Sequence, residues 1–315
     1  MSRHKIRNVL ITGAAGFVGR HMTGALLRKG FKVRILDNFS SSSKAVLKPY
    51  AAEIQLVEGD IRNIRHVKKA LSGIDAVFHF AAIRSVVKSV ENPFLSHEVN
   101  TTGTLLLLDE AKKAGVRHFI FTSTSAVYGS AISHSQKEGG NLKPISPYGM
   151  AKLLAEHYVR YYFEEKGLPA TSVRIFNVYG PRQNPESKYS LAVPGLLSKI
   201  LKGKRPIIDG TGEQARDFIY IGDVVEAFFK ILGNQKSYGQ IYNLGSGRTT
   251  SVNRLVQTLL GLTGSDLKPA HGPRRPGDPD RTCADILKIK RELGWRPKVS
   301  LKEGLRETIR VFDGF

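Results

Sequence analysis

Val9-Leu10-Ile11-Thr12-Gly13-Ala14-Ala15-Gly16-Phe17-Val18-Gly19, close to the amino terminus, is the stretch whose reading decides the fold. An apolar β-branched run passes straight into a turn of small residues and then into an amphipathic pattern. That order predicts a strand, a tight turn and a helix. Glycines at 13, 16 and 19 allow the sharp turn and let backbone amides approach a pyrophosphate at a helix N-terminus. The spacing is G-x-x-G-x-x-G and departs from the standard G-x-G-x-x-G. Context carries the reading instead. The next apolar run, 32–36, ends in Asp37, where a carboxylate accepts hydrogen bonds from an adenosine ribose and repels a 2′-phosphate. No Lys or Arg follows before Lys44, which favours NAD over NADP. After the third run, Gly59-Asp60-Ile61 sits where an adenine edge could be met or where a plain Gly-Asp turn would serve.

Outward from this stretch the alternation continues. Apolar runs at 8–12, 32–36, 54–57, 76–79, 117–121 and 170–175 are separated by helical patterns that include 17–29, 64–71, 99–114 and 148–166. Short buried strands alternating with helices predict βαβ units and a parallel, doubly wound α/β sheet. After Gly180 the texture changes. A loop at 181–185 precedes a helix at 191–201, a turn at 209–212 and one more buried strand at 240–244, which returns the chain to the sheet. A Pro/Gly/Arg-rich loop at 269–279 precedes helices at 285–293 and 301–312. Two lobes with the chain crossing between them are expected.

A length of 315 residues supports a sizeable core, and 41% hydrophobic with 24% charged residues is ordinary for a soluble protein. The single cysteine, Cys283, excludes an internal disulfide and fits a reducing compartment. No apolar run approaches the roughly 20 residues of a membrane helix. The amino terminus leads into the first strand without a signal-peptide core, so a cytoplasmic location is expected. The formal charge of +21 is large. Its Lys and Arg residues are scattered, with no basic tail and no aromatic-interleaved stripe, so specific nucleic-acid binding is not expected. No metal ligands are assigned.

The chemistry-bearing run is Ser146-Pro147-Tyr148-Gly149-Met150-Ala151-Lys152. Ser146 can cap a helix whose first turn takes Pro147. Tyr148 and Lys152, four apart, then share one face, and a nearby ammonium is expected to favour the phenolate. The same spacing recurs at Tyr162 and Lys166, read as an ordinary helix surface. What distinguishes the first pair is the hydroxyl cluster Thr122-Ser123-Thr124-Ser125 at the end of an apolar run, placed to meet it at a strand's carboxyl end.

Together the glycine loop, Asp37, Asp60, Ala81-Ala82, Asn100, the Thr/Ser cluster before Val127-Tyr128-Gly129, and Tyr148-x-x-x-Lys152 resemble the extended short-chain dehydrogenase/reductases. Later runs, Arg174-Ile175-Phe176-Asn177-Val178-Tyr179-Gly180-Pro181, Arg216-Asp217-Phe218-Ile219-Tyr220, Asn243-Leu244-Gly245 and Arg275-Pro276-Gly277-Asp278, resemble the nucleotide-sugar branch and specifically the UDP-sugar 4-epimerases. The likeness runs through nearly the whole chain. It implies a Rossmann-like NAD-binding domain at 1–180, rejoined by 236–262, and a smaller C-terminal α/β substrate-binding lobe made of 181–235 and 263–315. It implies Thr124, Tyr148 and Lys152 as catalytic residues. Tyr148 would take the sugar 4′-hydroxyl proton, Thr124 would bond the same hydroxyl, and Lys152 would bridge the nicotinamide ribose and tune Tyr148. Gly13, Gly16, Phe17, Val18, Asp37, Asn38, Ser40, Asp60, Ile61, Phe80, Ala81, Ala82, Asn100, Thr122 and Phe176 would complete the NAD site. Arg84, Ser123, Asn177, Arg216, Arg275, Asp278 and Thr282 would hold the UDP-sugar. A hydride would pass to NAD, the 4-keto sugar would turn over, and the hydride would return to its other face. A homodimer pairing helices 99–114 and 148–166 is implied as well.

Dehydratases and decarboxylases that resemble this chain need an acid just before the Val-Tyr-Gly run, where Ser125-Ala126 stands. Plain epimerisation is therefore expected. A Tyr four positions after the Gly-Asp aspartate goes with pockets restricted to glucose and galactose. Here that position is Thr282, and Gln183-Asn184-Pro185 with Tyr189-Ser190 resembles epimerases that accept N-acetylhexosamines. UDP-GlcNAc/UDP-GalNAc and UDP-Glc/UDP-Gal are both expected substrates. The alternatives are a UDP-glucuronate 4-epimerase and a non-catalytic NAD-binding regulatory protein.

Overall fold

The computed structural model describes residues 6–130, 135–184, 192–274 and 279–312. Six strands come first: β1 (Asn8–Thr12), β2 (Lys32–Asp37), β3 (Ile54–Glu58), β4 (Ala76–His79), β5 (His118–Thr124) and β6 (Ala170–Ile175). Shorter strands follow: β7 (Asn177–Tyr179), β8 (Ile207–Asp209), β9 (Ala215–Arg216), β10 (Phe218–Tyr220), β11 (Ile241–Leu244), β12 (Thr250–Ser251), β13 (Ala270–Gly272) and β14 (Arg281–Thr282). The main sheet has the order β11-β6-β5-β4-β1-β2-β3, with every pair parallel. Chain order reverses at β1, where β2 lies on one side and β4 on the other. The mouth of that switch point is where such sheets take ligands.

Helices α1 (Phe17–Arg28), α2 (Ile64–Leu71), α3 (Val86–Glu91), α4 (Pro93–His97), α5 (Gly103–Lys113) and α6 (Pro147–Glu164) belong to the first half. Helices α7 (Ala192–Leu201), α8 (Ile221–Ile231), α9 (Val252–Thr263), α10 (Leu287–Leu293) and α11 (Leu301–Phe312) belong to the second. Side chains alternate across a strand, and both faces of the sheet are apolar. Val9 and Ile11 pack with Met22 and Leu26 of α1, Val224 and Phe228 of α8 and Ile289 of α10. Leu10, Phe119 and Phe121 pack on the other side with Val67 of α2, Leu107 and Leu108 of α5, and Ala155 and Val159 of α6. Each such Val, Leu, Ile, Met or Phe side chain contributes about 1.5–3 kcal/mol over its exposed state. A third core joins Leu196 and Leu197 of α7, Leu255 and Leu259 of α9 and Leu305 of α11.

Packing distributes the helices differently from the division drawn on the sequence. β11 joins the main sheet, but α9, placed with the first domain, packs in the second lobe. Helices α8 and α10, placed with the second lobe, cover the main sheet. The amphipathic period reveals an apolar stripe, not which layer covers it.

Two sequence-derived elements differ in detail. The expected helix 99–114 opens as a π-turn, Glu98–Thr102, before α5. There Asn100 is drawn to the loop after β4 and the Thr101 hydroxyl donates to the Ala151 carbonyl at 3.0 Å. Tyr162, expected on a helix surface, is buried and donates to Asp109 Oδ1 at 3.0 Å. Among the described residues no helix is long and apolar enough to cross a membrane.

Candidate active site

The turn after β1 is built for close approach. Gly13 has φ +72°, and a Cβ there would lie 2.5 Å from the Ala81 amide nitrogen, while one on Gly19 would lie 2.3 Å from the Gly13 carbonyl oxygen. Only glycine allows that backbone and that contact. Gly16 precedes α1 with no side-chain cap, so the first amides of the helix face the turn without a side-chain partner. A phosphate suits that place. Behind it, Asp37 accepts from the Ala15 amide through Oδ2 and from the Phe39 amide through Oδ1, each at 2.8 Å. Burial pushes its carboxyl up, and these two amides pull it back. Asp60 takes Asn38 Nδ2 at 2.9 Å and the Arg62 fork, and the Arg62 hydrogen bond holds it down at about 2. Lys44, the first cation after Asp37, is paired with Glu58 at 2.9 Å.

From this turn a cleft of about 650 Å³ runs along the carboxyl ends of the strands. Of the expected cofactor residues, Gly13, Gly16, Phe17, Val18, Asp37, Asn38, Ser40, Asp60, Ile61, Phe80, Ala81, Ala82, Thr122 and Phe176 line it. So do Tyr148, Lys152, Ser123, Thr124, Arg84, Asn177, Arg216 and Thr282. Asn100 does not. It is fully buried, accepts from the Ile83 amide at 2.8 Å and donates to the Ile83 carbonyl at 2.9 Å, so it fixes the wall from behind. Arg275 and Asp278, with Pro185, Tyr189 and Ser190, lie outside the described residues.

At the far end, Ser146 caps α6 by accepting from the Gly149 amide at 3.1 Å, with Pro147 in the first turn. The Tyr148 amide donates to Ser89 Oγ at 3.1 Å, which pins α6 to α3. Burial pushes the Tyr148 phenol up, and the Thr124 hydroxyl and the Arg84 charge pull it back. Arg84 is thus a second cation at Tyr148, one that helix spacing does not point to. Lys152 is only 2% exposed and lies over the Phe121 ring, 4.3 Å from its centroid. Burial brings its ammonium down to about 7, with Glu156 acting in the opposite sense.

Several polar atoms on the wall have no partner within the described protein. Thr122 Oγ1, Ser123 Oγ, Gln183 Oε1 and Thr282 Oγ1 are buried and unbonded. Four such atoms around one cleft call for a polar ligand, because each costs about 1–3 kcal/mol when left unmade. The cradle, the open helix start and these atoms fit a dinucleotide with a polar co-ligand. The register Thr282↔Arg216 between β14 and β9 brings those two residues to the same wall.

A family model described as GDP-mannose 4,6-dehydratase matches residues 10–308. The chain belongs to this family of extended short-chain dehydrogenase/reductases. Within the family, a Thermotoga maritima UDP-glucose 4-epimerase solved with UDP-glucose is 37% identical with TM-score 0.93, covering 97% of this chain and 98% of its own. A UDP-N-acetylglucosamine 4-epimerase from Methanobrevibacter ruminantium, in complex with UDP-N-acetylmuramic acid, is 35% identical with TM-score 0.92, covering 98% and 99%. A Thermus thermophilus UDP-glucose 4-epimerase in complex with NAD is 34% identical with TM-score 0.89, covering 98% and 99%. The family description names a dehydratase while these three are epimerases, so family membership alone does not choose the reaction.

Sequence reading passed over residues that support this site in the family fold. Ser89 holds the start of α6. Asp217, quoted only within a motif, is fully buried and accepts from the amides of Ser246, Gly247 and Ala284, next to Arg216 and β14. Glu156 lies one turn beyond Lys152, so extending the four-residue spacing once more would have found it.

Proposed function

We propose that this chain is a UDP-sugar 4-epimerase that retains NAD and accepts both the N-acetylated pair, UDP-GlcNAc/UDP-GalNAc, and the hexose pair, UDP-Glc/UDP-Gal. One observation carries the choice of reaction. Thr124, Tyr148 and Lys152 stand together on the wall, while the neighbouring place that an elimination acid would take holds Ser125 and Ala126. Among the described residues, the carboxylates on the cleft wall are Asp37, the last residue of β2, and Asp60, beyond the end of β3. Removing water from the sugar needs a proton donor near its C5–C6 side, and epimerisation at C4 does not.

In this reading Gly13, Gly16, Phe17 and Val18 hold the NAD pyrophosphate, and Asp37, Asn38 and Ser40 hold its adenosine ribose. Asp60 and Ile61 meet the adenine, while Phe80, Ala81, Ala82, Thr122, Lys152 and Phe176 flank the nicotinamide half. NAD when bound supplies reversible hydride acceptance at sugar C4. Tyr148 takes and returns the 4-hydroxyl proton, and Thr124 holds that hydroxyl and the phenol in line. Ser123 lies beside them. Asn177, Arg216 and Arg84, with Arg275 and Asp278, grip the diphosphate and uridine, where planar guanidinium forks suit phosphate. Thr282 leaves room beside the sugar.

The test is incubation of purified protein, without added NAD, with UDP-GlcNAc, UDP-Glc and UDP-glucuronate separately, resolving the C4 epimers. UDP-GalNAc and UDP-Gal are the expected products. Conversion of UDP-glucuronate alone, or of none of the three even with NAD supplied, overturns the reading.

A homodimer through α5 and α6 is part of the proposal. Met150 and Leu154 on α6 are 58% and 40% exposed, and Phe94 on neighbouring α4 is 81% exposed. Exposed apolar side chains on two neighbouring helices suit an interaction surface. The molecular mass in solution is expected at twice 34.8 kDa, falling to one chain in Met150→Glu/Leu154→Glu; a wild-type monomer refutes it.

A further inference from the structure

Tyr148, Lys152 and Glu156 follow one another at four-residue intervals along α6, so they share a helix face. Both Lys152 and Glu156 are almost wholly buried, at 2% and 3% exposure. Among the described residues no carboxylate lies within ion-pair distance of the Lys152 ammonium, whose close neighbour is the Phe121 ring. Glu156 is the nearby anion acting on it.

Glu156 does not bond Lys152 directly because its oxygens are committed elsewhere. Arg174, on β6, donates from Nε to Oε1 at 3.0 Å and to Oε2 at 3.2 Å, and from its second terminal nitrogen to Oε2 at 2.7 Å. The remaining terminal nitrogen donates to the Tyr128 hydroxyl and to the Glu138 carbonyl, both at 2.9 Å. The Tyr128 hydroxyl in turn donates to Asn243 Oδ1 at 2.6 Å. Burial works against the Arg174 charge and Glu156 more than offsets it. A guanidinium with every nitrogen bonded, lying 5.0 Å from the Tyr128 ring centroid, fixes the carboxylate in place.

Buried ion pairs of this kind are weak contributors to stability, and apolar residues of the same volume often do as well. This one lies one helical turn below the ammonium of the site. We propose that Glu156, fixed by Arg174, is a positioning residue that supplies the buried negative charge keeping Lys152 cationic. The other groups around Lys152 cannot take that part. His79 on β4 is a buried imidazole between the Thr12 and Thr104 hydroxyls, at 2.7 and 2.9 Å. Thr104 donates its own proton to the Asn100 carbonyl, so it receives Nε2–H, and Nδ1 then accepts from Thr12. A neutral imidazole results. Tyr148 is a neutral phenol, and Arg174 is a cation.

The effect of Glu156 on turnover rests on the reading of Tyr148 and Lys152 as a catalytic pair; its effect on the Lys152 charge does not. The experiment is an NMR titration of the protein labelled with [13Cε]lysine, with the Lys152 signal assigned by its loss in Lys152→Arg. In Glu156→Gln the Lys152 midpoint is expected to fall by about one pH unit or more, the effect of losing a near opposite charge. Because that variant leaves Arg174 buried without its partner, Glu156→Gln/Arg174→Met is titrated beside it, with a smaller fall expected in the same direction. An unchanged Lys152 midpoint in whichever variant stays folded overturns the proposal. A lowered midpoint with an unchanged pH–rate profile keeps the counter-charge and removes Lys152 from the catalytic reading instead.

Discussion

Tyr148→Phe is expected to lower turnover about a thousandfold while leaving the fold and dinucleotide retention unchanged. The substitution removes one oxygen and its hydrogen bond with Thr124, and leaves the backbone anchor of the residue. The link from the Tyr148 amide to Ser89 Oγ, which fixes α6 against α3, is a backbone bond and survives. What disappears is the group that accepts the sugar proton. Positioned proton transfer contributes about 10²–10⁴ in rate, so a thousandfold loss, roughly 4 kcal/mol of barrier, is the expected size. The pH dependence gives a second handle. A base works only when deprotonated, so wild-type turnover rises with pH until the phenol has lost its proton. Burial moves that limb upward, and Thr124 and Arg84 draw it back down. Lys152 titrates near 7 and adds charge next to the reaction as pH falls through that value. Tyr148→Phe should erase the Tyr148 limb as well as the rate. A variant that is slow but keeps the same rising limb would show that another group takes the proton, and one near wild-type rate would remove Tyr148 from the mechanism.

The parts of this molecule legible in its sequence are those set by local spacing. The strand–glycine–helix run from Val9 to Gly19 forms as read, because the left-handed Gly13 and the contact of Gly19 on Gly13 admit no side chain. The six apolar runs before β7 are strands, and the capped helix at Ser146 carries Tyr148 and Lys152 into one cleft. What spacing could not give is which group from elsewhere comes to lie against a chosen atom. The Arg84 charge on Tyr148 comes from the loop after β4, 64 positions away in sequence. Asn100 has its amide turned into the wall because Ile83, held by the same chain reversal, presents both an amide and a carbonyl to it. Arg174 and Glu156 find each other across the sheet-to-helix gap, a contact fixed only when β6 and α6 are layered. The exchange of α8 and α9 between the lobes has the same origin: an apolar stripe states that a face is buried, and topology decides against what.

Thr282→Tyr is expected to cut activity on the N-acetylated pair by about a hundredfold while the hexose pair stays within about threefold of wild type. The size follows from forcing a ring into a filled site, roughly 3 kcal/mol. Thr282 is held in place from both directions. On β14 it pairs with Arg216 of β9, and the next residues are fixed by Gln136, whose amide donates to the Cys283 carbonyl at 2.8 Å. Asp217 adds a bond from the Ala284 amide at 3.0 Å. A tyrosine here therefore cannot be absorbed by backbone movement, and its ring must project from the wall position that Thr282 now occupies. With a hexose, whose 2-hydroxyl is small, that space is spare. With an N-acetyl group, ring and acyl chain compete for it, in the ground state and again after the sugar has turned over. The hydroxyl of Thr282 matters less than its size, so Thr282→Ser and Thr282→Val should keep both activities, with Val losing whatever a ligand gains from the unbonded Oγ1. Measured kcat/KM on all four UDP-sugars decides it. Equal losses on both pairs in Thr282→Tyr mean general disruption of the wall, and an unaffected N-acetylated pair means that the acyl group lies elsewhere in the cleft.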